Sequence, residues 1–178
     1  MEKGILRTVK GDATVPQFTT TDEIAIIPHC CNNENGWGAG FVMALSAKWK
    51  KPERVYRQLC TRYSKDKLLG KVCYAKIDNH FIVANMVAQN GTISENNSKP
   101  VKYKALISCM EKVTDYIEMI KDQVSSPVVI HAPKFCSDLA GGNFDFVLEL
   151  INEIWLSEGI DVVIYEFEPD HYNWGVIA

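Results

Sequence analysis

Three stretches of the 178-residue chain carry residues whose types and spacing could grip an anion or a base. The longest is Asn32-Asn33-Glu34-Asn35-Gly36-Trp37-Gly38-Ala39-Gly40, which follows an apolar run and opens a segment of helical periodicity. Small residues let a ligand come close to the backbone. The N-terminus of the following helix adds free N–H donors and a partial positive charge. A phosphate or diphosphate suits both features, and a glycine-rich turn without a ligand is the alternative. The Gly-Lys-Ser/Thr ending of a nucleoside-triphosphate loop is missing. The pattern returns in Phe135-Cys136-Ser137-Asp138-Leu139-Ala140-Gly141-Gly142-Asn143, again after an apolar run. Two such loops at one edge of a sheet would clamp a diphosphate from both sides, so the pair says more than either loop. Gly11-Asp12 closes the first strand-like stretch. A carboxylate there accepts a hydrogen bond from an adenine amino group or simply organises a turn.

Proton transfer beside such a site falls to His29, just ahead of the first loop. An imidazole with a free pKa of ~6.5 serves as acid or base near neutrality. A core histidine at a strand end is the alternative. His131 sits inside an apolar run, and His80 and His171 sit in polar turns, so their claims are weaker. The net charge of −3 argues against a protein that coats duplex nucleic acid. It leaves room for a small anion held by backbone N–H groups. None of the six cysteines (Cys30, Cys31, Cys60, Cys73, Cys109 and Cys136) belongs to a Cys-x-x-Cys pair. Most lie in apolar runs, where cysteine behaves as a small hydrophobe, and reduced thiols are expected. No apolar run approaches the ~20 residues that span a bilayer. The first residues lack the apolar core of a secretion signal. The expectation is a soluble cytoplasmic protein with no membrane partner.

The elements that must hold these residues alternate between two periods. Strands are predicted at residues 5–9, 23–30, 70–77, 81–87, 127–132 and 161–167. Helices are predicted at 41–49, from Pro52 onward, at 101–121 and at 144–155, the last with Asn143 as N-cap. Along the longest helix Leu106, Cys109, Met110, Val113, Ile117 and Ile120 form the core face. Such alternation implies a central sheet with helices on both faces and a ligand beyond the carboxyl ends of its strands.

In this order VKGDAT, IIPHCCNNENGWGAGFVMALSAKWKKPERVY, LLGKV and HAPKFCSDLAGGNFDFVLELI resemble the macrodomain family over nearly the whole chain. VANMVAQNG and YKAL are similar to the branch of small stand-alone ADP-ribose 1″-phosphate phosphatases, as are His29, Asn32 and Trp37-Gly38-Ala39-Gly40. The resemblance implies a three-layer α/β/α macrodomain over residues 1–178, with a mixed central sheet of about six strands. It implies that Asp12 contacts the adenine amino group, that the Ala13 N–H approaches the ring, and that Phe167 packs on adenine. Asn35, Trp37, Gly38, Ala39, Gly40 and Phe41 would line the α-phosphate and the distal ribose. Ser137, Leu139, Ala140, Gly141, Gly142 and Asn143 would wrap the diphosphate. Asn32 would face the distal ribose and orient it or the attacking water.

Two departures from the family pattern narrow the chemistry. Cys30-Cys31-Asn32-Asn33 stands where the branch acting on O-acetyl-ADP-ribose and protein-linked ADP-ribose has Asn-Ala-Ala-Asn. A further branch uses a lysine and an aspartate where this chain has Val87 or Ala88, and Ala140, so a lysine-adduct mechanism is not expected. Asp138, two residues before Ala140, would be a replacement carboxylate. The expected activity is hydrolysis at the distal ribose, ADP-ribose 1″-phosphate giving ADP-ribose and phosphate, without metal or cofactor, with His29, Asn32 and Asp138 as the catalytic candidates. Alternatives are an ADP-ribosyl hydrolase acting on modified protein or nucleic acid, and a non-catalytic ADP-ribose reader. Partners are ADP-ribose, its 1″-phosphate and ADP-ribosylated macromolecules.

Overall fold

The inner strands carry β-branched and apolar residues in runs too continuous for a half-exposed sheet, and they assemble into a sheet covered there on both faces. The computed structural model describes residues 1–167. Its strands are β1 (Leu6–Lys10), β2 (Ile24–Asn32), β3 (Val72–Lys76), β4 (Phe81–Gln89), β5 (Val128–Pro133) and β6 (Val162–Glu166), in the order β1-β6-β5-β2-β4-β3. Only the β3–β4 pair is antiparallel, so the sheet is mixed. Alternate β2 residues separate the two cores. Ile24 and Ile26 join Leu106, Met110, Val113 and Trp155 on one face, while Ala25 and Ile27 join Leu45 and Tyr56 on the other. Helices α1 (Phe41–Lys48), α2 (Lys51–Arg62) and the short α3 (Lys65–Leu68) cover the second face. Helices α4 (Tyr103–Gln123) and α5 (Phe144–Leu150) cover the first. The buried face of α4 is the one its periodicity predicts.

Three differences from the sequence expectation have physical causes. The helix expected over residues 144–155 is α-helical only to Leu150 and widens into a π-helical turn, Ile151–Trp155. That turn brings both Ile151 and Trp155 into the core, and the Trp155 indole donates to Met110 O at 3.0 Å. Helix α3, at four residues, is too short to show a period. The third difference is chemical: Cys30 and Cys136 form a disulfide, with Cα atoms 5.6 Å apart, and only Cys31, Cys60, Cys73 and Cys109 are free. The two half-cystines lie 106 residues apart in sequence and meet because β2 and β5 are neighbours in the sheet. Among the described residues no helix is long and apolar enough to cross a membrane.

Candidate functional site

The carboxyl ends of β1, β6, β5 and β2 lie side by side along one edge of the sheet. At the usual spacing of ~4.8 Å they span about 14 Å. Gly11-Asp12, Phe167, the loop after β5 and the loop after β2 follow one another along that edge. The N–H of Gly11 donates to Glu166 O at 2.8 Å, which extends the β1–β6 pairing and brings Asp12 and Phe167 to the same corner. Asp12 is half-buried and its carboxylate accepts from the Thr14 N–H (2.8 Å) and hydroxyl (2.6 Å), so it organises the turn it begins. Ala13 is buried and Phe167 is exposed.

The first loop is organised by its own asparagines. The Asn32 side-chain oxygen accepts from the N–H groups of Glu34 (2.9 Å) and Gly36 (3.0 Å) and from the Tyr56 hydroxyl (2.9 Å). Its amide donates to Gly36 O at 3.0 Å. A side chain so engaged shapes the loop. Asn33 fastens the loop to the N–H of Gly91 (2.9 Å), to Lys65 O and to Asn90. Asn35, in the left-handed region at φ 59, is turned to Arg57 of α2. Trp37 is buried against Tyr56, ring centroids 5.3 Å apart, and its indole donates to Ser46 Oγ at 2.8 Å. It supports the loop from below. Gly38, Ala39 and Gly40 are exposed. Gly40, at φ 82, precedes α1 with no side-chain cap; the Met43 N–H donates to Gly40 O at 3.0 Å, and the N–H groups of Phe41 and Val42 are left for solvent or a ligand.

The second loop turns tightly, with Cys136 (φ 58), Asp138 (φ 46) and Gly141 (φ 68) all left-handed. Ala140 N–H donates to Ser137 O and Gly141 N–H to Asp138 O, both at 2.9 Å. The Ser137 hydroxyl bonds Lys134 O at 2.5 Å. A Cβ on Gly142 would sit 1.9 Å from Cys136 O, so only glycine fits there. Ala140 is buried, whereas Asp138 and Leu139 are exposed. Asn143 caps α5 as expected, accepting from the Asp145 N–H at 2.9 Å. The two loops meet: the Leu139 methyl lies 3.1 Å from where a Gly40 Cβ would stand.

His29 is enclosed. It is 2% exposed, beneath the first loop and α1, with its ring against Trp37 and Phe41. Its Nε2 pairs with Asn85 Oδ1 at 2.5 Å, and the Asn85 amide donates to Pro52 O. Burial lowers its pKa to about 4, against the opposing Asn85 hydrogen bond. The imidazole is enclosed, and burial favours its neutral form.

A buried polar chain went unread in the sequence. His131 bonds Glu23 through Nε2 (2.7 Å) and the Tyr165 hydroxyl through Nδ1 (2.8 Å), and that hydroxyl accepts from the Gln17 N–H at 2.8 Å. It straps the β1–β2 connection across the face of β5 and β6 and so fixes the Asp12 turn. Burial lowers the His131 pKa, opposed by Glu23. The signal was a histidine inside an apolar strand, which requires polar partners. A recess of about 440 Å³ lined by Thr14, Phe18, Lys48, Trp49 and Phe81 lies beside this connection, at the far end of α1 from the two loops.

With the sheet order and paired loops in place, the class is defined: the chain belongs to the macrodomain family. It is 32% identical to a macrodomain protein from Streptomyces coelicolor, matching over 90% of this chain and 98% of that one with a TM-score of 0.72. It is 22% identical over 174 residues to the ADP-ribose 1″-phosphate phosphatase of Candida albicans, which covers 97% of this chain and 100% of the relative. It shares its fold with Thermosipho africanus DarTG in complex with ADP-ribose, at 16% identity and a TM-score of 0.67, over 97% of this chain and 44% of that one. No family model matches the chain.

Proposed function

We propose that this macrodomain binds ADP-ribose along the carboxyl edge of its sheet and hydrolyses a derivative at the distal ribose, ADP-ribose 1″-phosphate being the preferred substrate. The observation that carries the reading is the meeting of two glycine-bearing loops at Gly40 and Leu139, beside the uncapped start of α1. The phosphatase relative and the ADP-ribose complex of the Thermosipho protein support it. In this reading Asp12 takes the adenine amino group, the Ala13 N–H approaches the ring and Phe167 packs on it. Backbone N–H groups from Gly38 to Phe41 and those of Ser137, Asp138, Leu139 and Gly142 receive the phosphates and offset charge developing on their oxygens, with Ala140 and Gly141 shaping the turn around them. Asp138, exposed at the tip of the second loop, takes the proton of the water that attacks the 1″-phosphate.

The enclosure of His29 and the engagement of Asn32 favour a second reading, a non-catalytic ADP-ribose reader. Turnover separates the two. Wild type should release phosphate from ADP-ribose 1″-phosphate, and Asp138→Asn should slow this by about 10²–10⁴-fold while ADP-ribose affinity changes little. A wild type that binds ADP-ribose yet turns over neither ADP-ribose 1″-phosphate nor ADP-ribosylated protein or nucleic acid is a reader. Full activity in Asp138→Asn removes Asp138 from the mechanism.

A further inference from the structure

We propose that the Cys30–Cys136 bond is a redox latch on the ligand site: oxidised, it holds the loop after β5 in binding-competent shape, and reduced, it releases that loop and weakens ligand affinity. The proposal rests on the ADP-ribose reading above and adds its regulation.

The placement of the bond carries the argument. Cys30 lies two residues before Asn32, which organises the first loop, and Cys136 lies three before Leu139, which meets Gly40 of that loop. One covalent link therefore sets the two sides of the cleft relative to each other. The second loop leaves β5 at Pro133, is anchored by Phe135, which is buried against Trp155, and is next tied down through its backbone to another element where the Val101 N–H donates to Ala140 O at 3.0 Å. Between these points Cys136 and Asp138 adopt left-handed conformations that non-glycine residues avoid unless their surroundings impose them. The link to β2 is a constraint of that kind. Without it the segment from Cys136 to Leu139 gains conformations, and binding must then order it.

The exchange needs a dithiol reductant. Cys30 is half-buried while Cys136 is 3% exposed, so the incoming thiolate reaches Cys30 Sγ. It forms a mixed disulfide there and expels the Cys136 thiolate, which takes up a proton. The second thiol of the reductant then attacks the mixed disulfide, freeing Cys30 as a thiol and leaving the reductant as its own disulfide. Two electrons and two protons pass to the protein, and exchange with an oxidised dithiol reverses the step. Burial pushes the thiols of Cys31, Cys73 (to about 11) and Cys109 (to about 12) upward, which keeps them out of the exchange.

The test uses the whole chain. Protein prepared under air should show four alkylatable thiols after denaturation and six after dithiothreitol. Hydrogen exchange at residues 136–140 should quicken on reduction, and calorimetry with ADP-ribose should show affinity falling fivefold or more. Cys30→Ser should match the reduced wild type and ignore dithiothreitol. Six thiols in the air-prepared protein, or equal loop exchange and affinity in both states, overturns the latch. If oxidised wild type binds no ADP-ribose, the ligand reading fails, while the thiol count and loop exchange still decide whether the bond constrains the loop.

Discussion

The two loops that face each other across the cleft are held by different means. The loop after β2 is built by side chains: Asn32 and Asn33 satisfy its backbone, Tyr56 bonds Asn32, and Trp37 fills the space beneath. The loop after β5 is built by backbone and covalency: left-handed residues, glycines without room for a Cβ, and one disulfide. The contrast teaches that the first loop is stabilised by many moderate bonds and tolerates the loss of one. The second depends on a few contacts for which no substitute exists.

The largest effect that would sharpen this comparison is expected at Gly142. A methyl group there overlaps the Cys136 carbonyl, and relieving it displaces the second loop. Gly142→Ala should reduce ADP-ribose affinity by roughly a hundredfold and cost about 1–3 kcal/mol of stability. A variant with native melting and native affinity breaks the account of that loop. Gly40→Val comes next: φ 82 and the Leu139 contact at 3.1 Å both oppose a branched side chain. Affinity should fall at least about tenfold in a protein that still folds, because Gly40 is exposed. Undiminished binding by folded Gly40→Val places the ligand elsewhere.

Asn32→Ala probes the side-chain-built loop. It leaves the N–H groups of Glu34 and Gly36 without their acceptor, a loss of about 1–3 kcal/mol in stability. Its effect on turnover should be smaller than that of Asp138→Asn. The reverse order of rates would return Asn32 to the substrate.

Acid acts under the same loop. An imidazole that titrates near 4 when folded and near ~6.5 when unfolded binds fewer protons in the native state. Its contribution is therefore complete above about pH 6.5 and is lost as pH falls toward 4, roughly 2–4 kcal/mol in all. Denaturant midpoints measured across that window should fall less in His29→Gln than in wild type, and equal slopes contradict the assignment. Gly38→Ala should have the smallest effect on the fold, since no atom lies within 4 Å of the added methyl group. A large drop in its melting temperature would show a contact that this geometry lacks.

Much of the fold was legible because its signals are local. The strand runs, the 3.6-residue spacing of the α4 face and the Asn143 cap all act within a few residues. The candidate site was legible as two glycine-bearing loops along one sheet edge, less so residue by residue. Asn32 and Asp12 have the types a ligand contact needs, yet the hydrogen bonds they make to their own loops depend on backbone geometry that spacing does not reveal. His29 read as an acid–base group because type and position suited it, but its enclosure by Trp37, Phe41 and Asn85 is a tertiary fact. The disulfide was invisible for the same reason, since pairing across 106 residues follows from strand order.

The account stands most directly on whether one ligand engages both loops at once. Amide hydrogen exchange with and without ADP-ribose, run beside a calorimetric titration, measures this. The account predicts an affinity on the order of micromolar and simultaneous protection at residues 38–42 and 137–142. No heat at millimolar ADP-ribose, or protection confined to one loop or to neither, would contradict it.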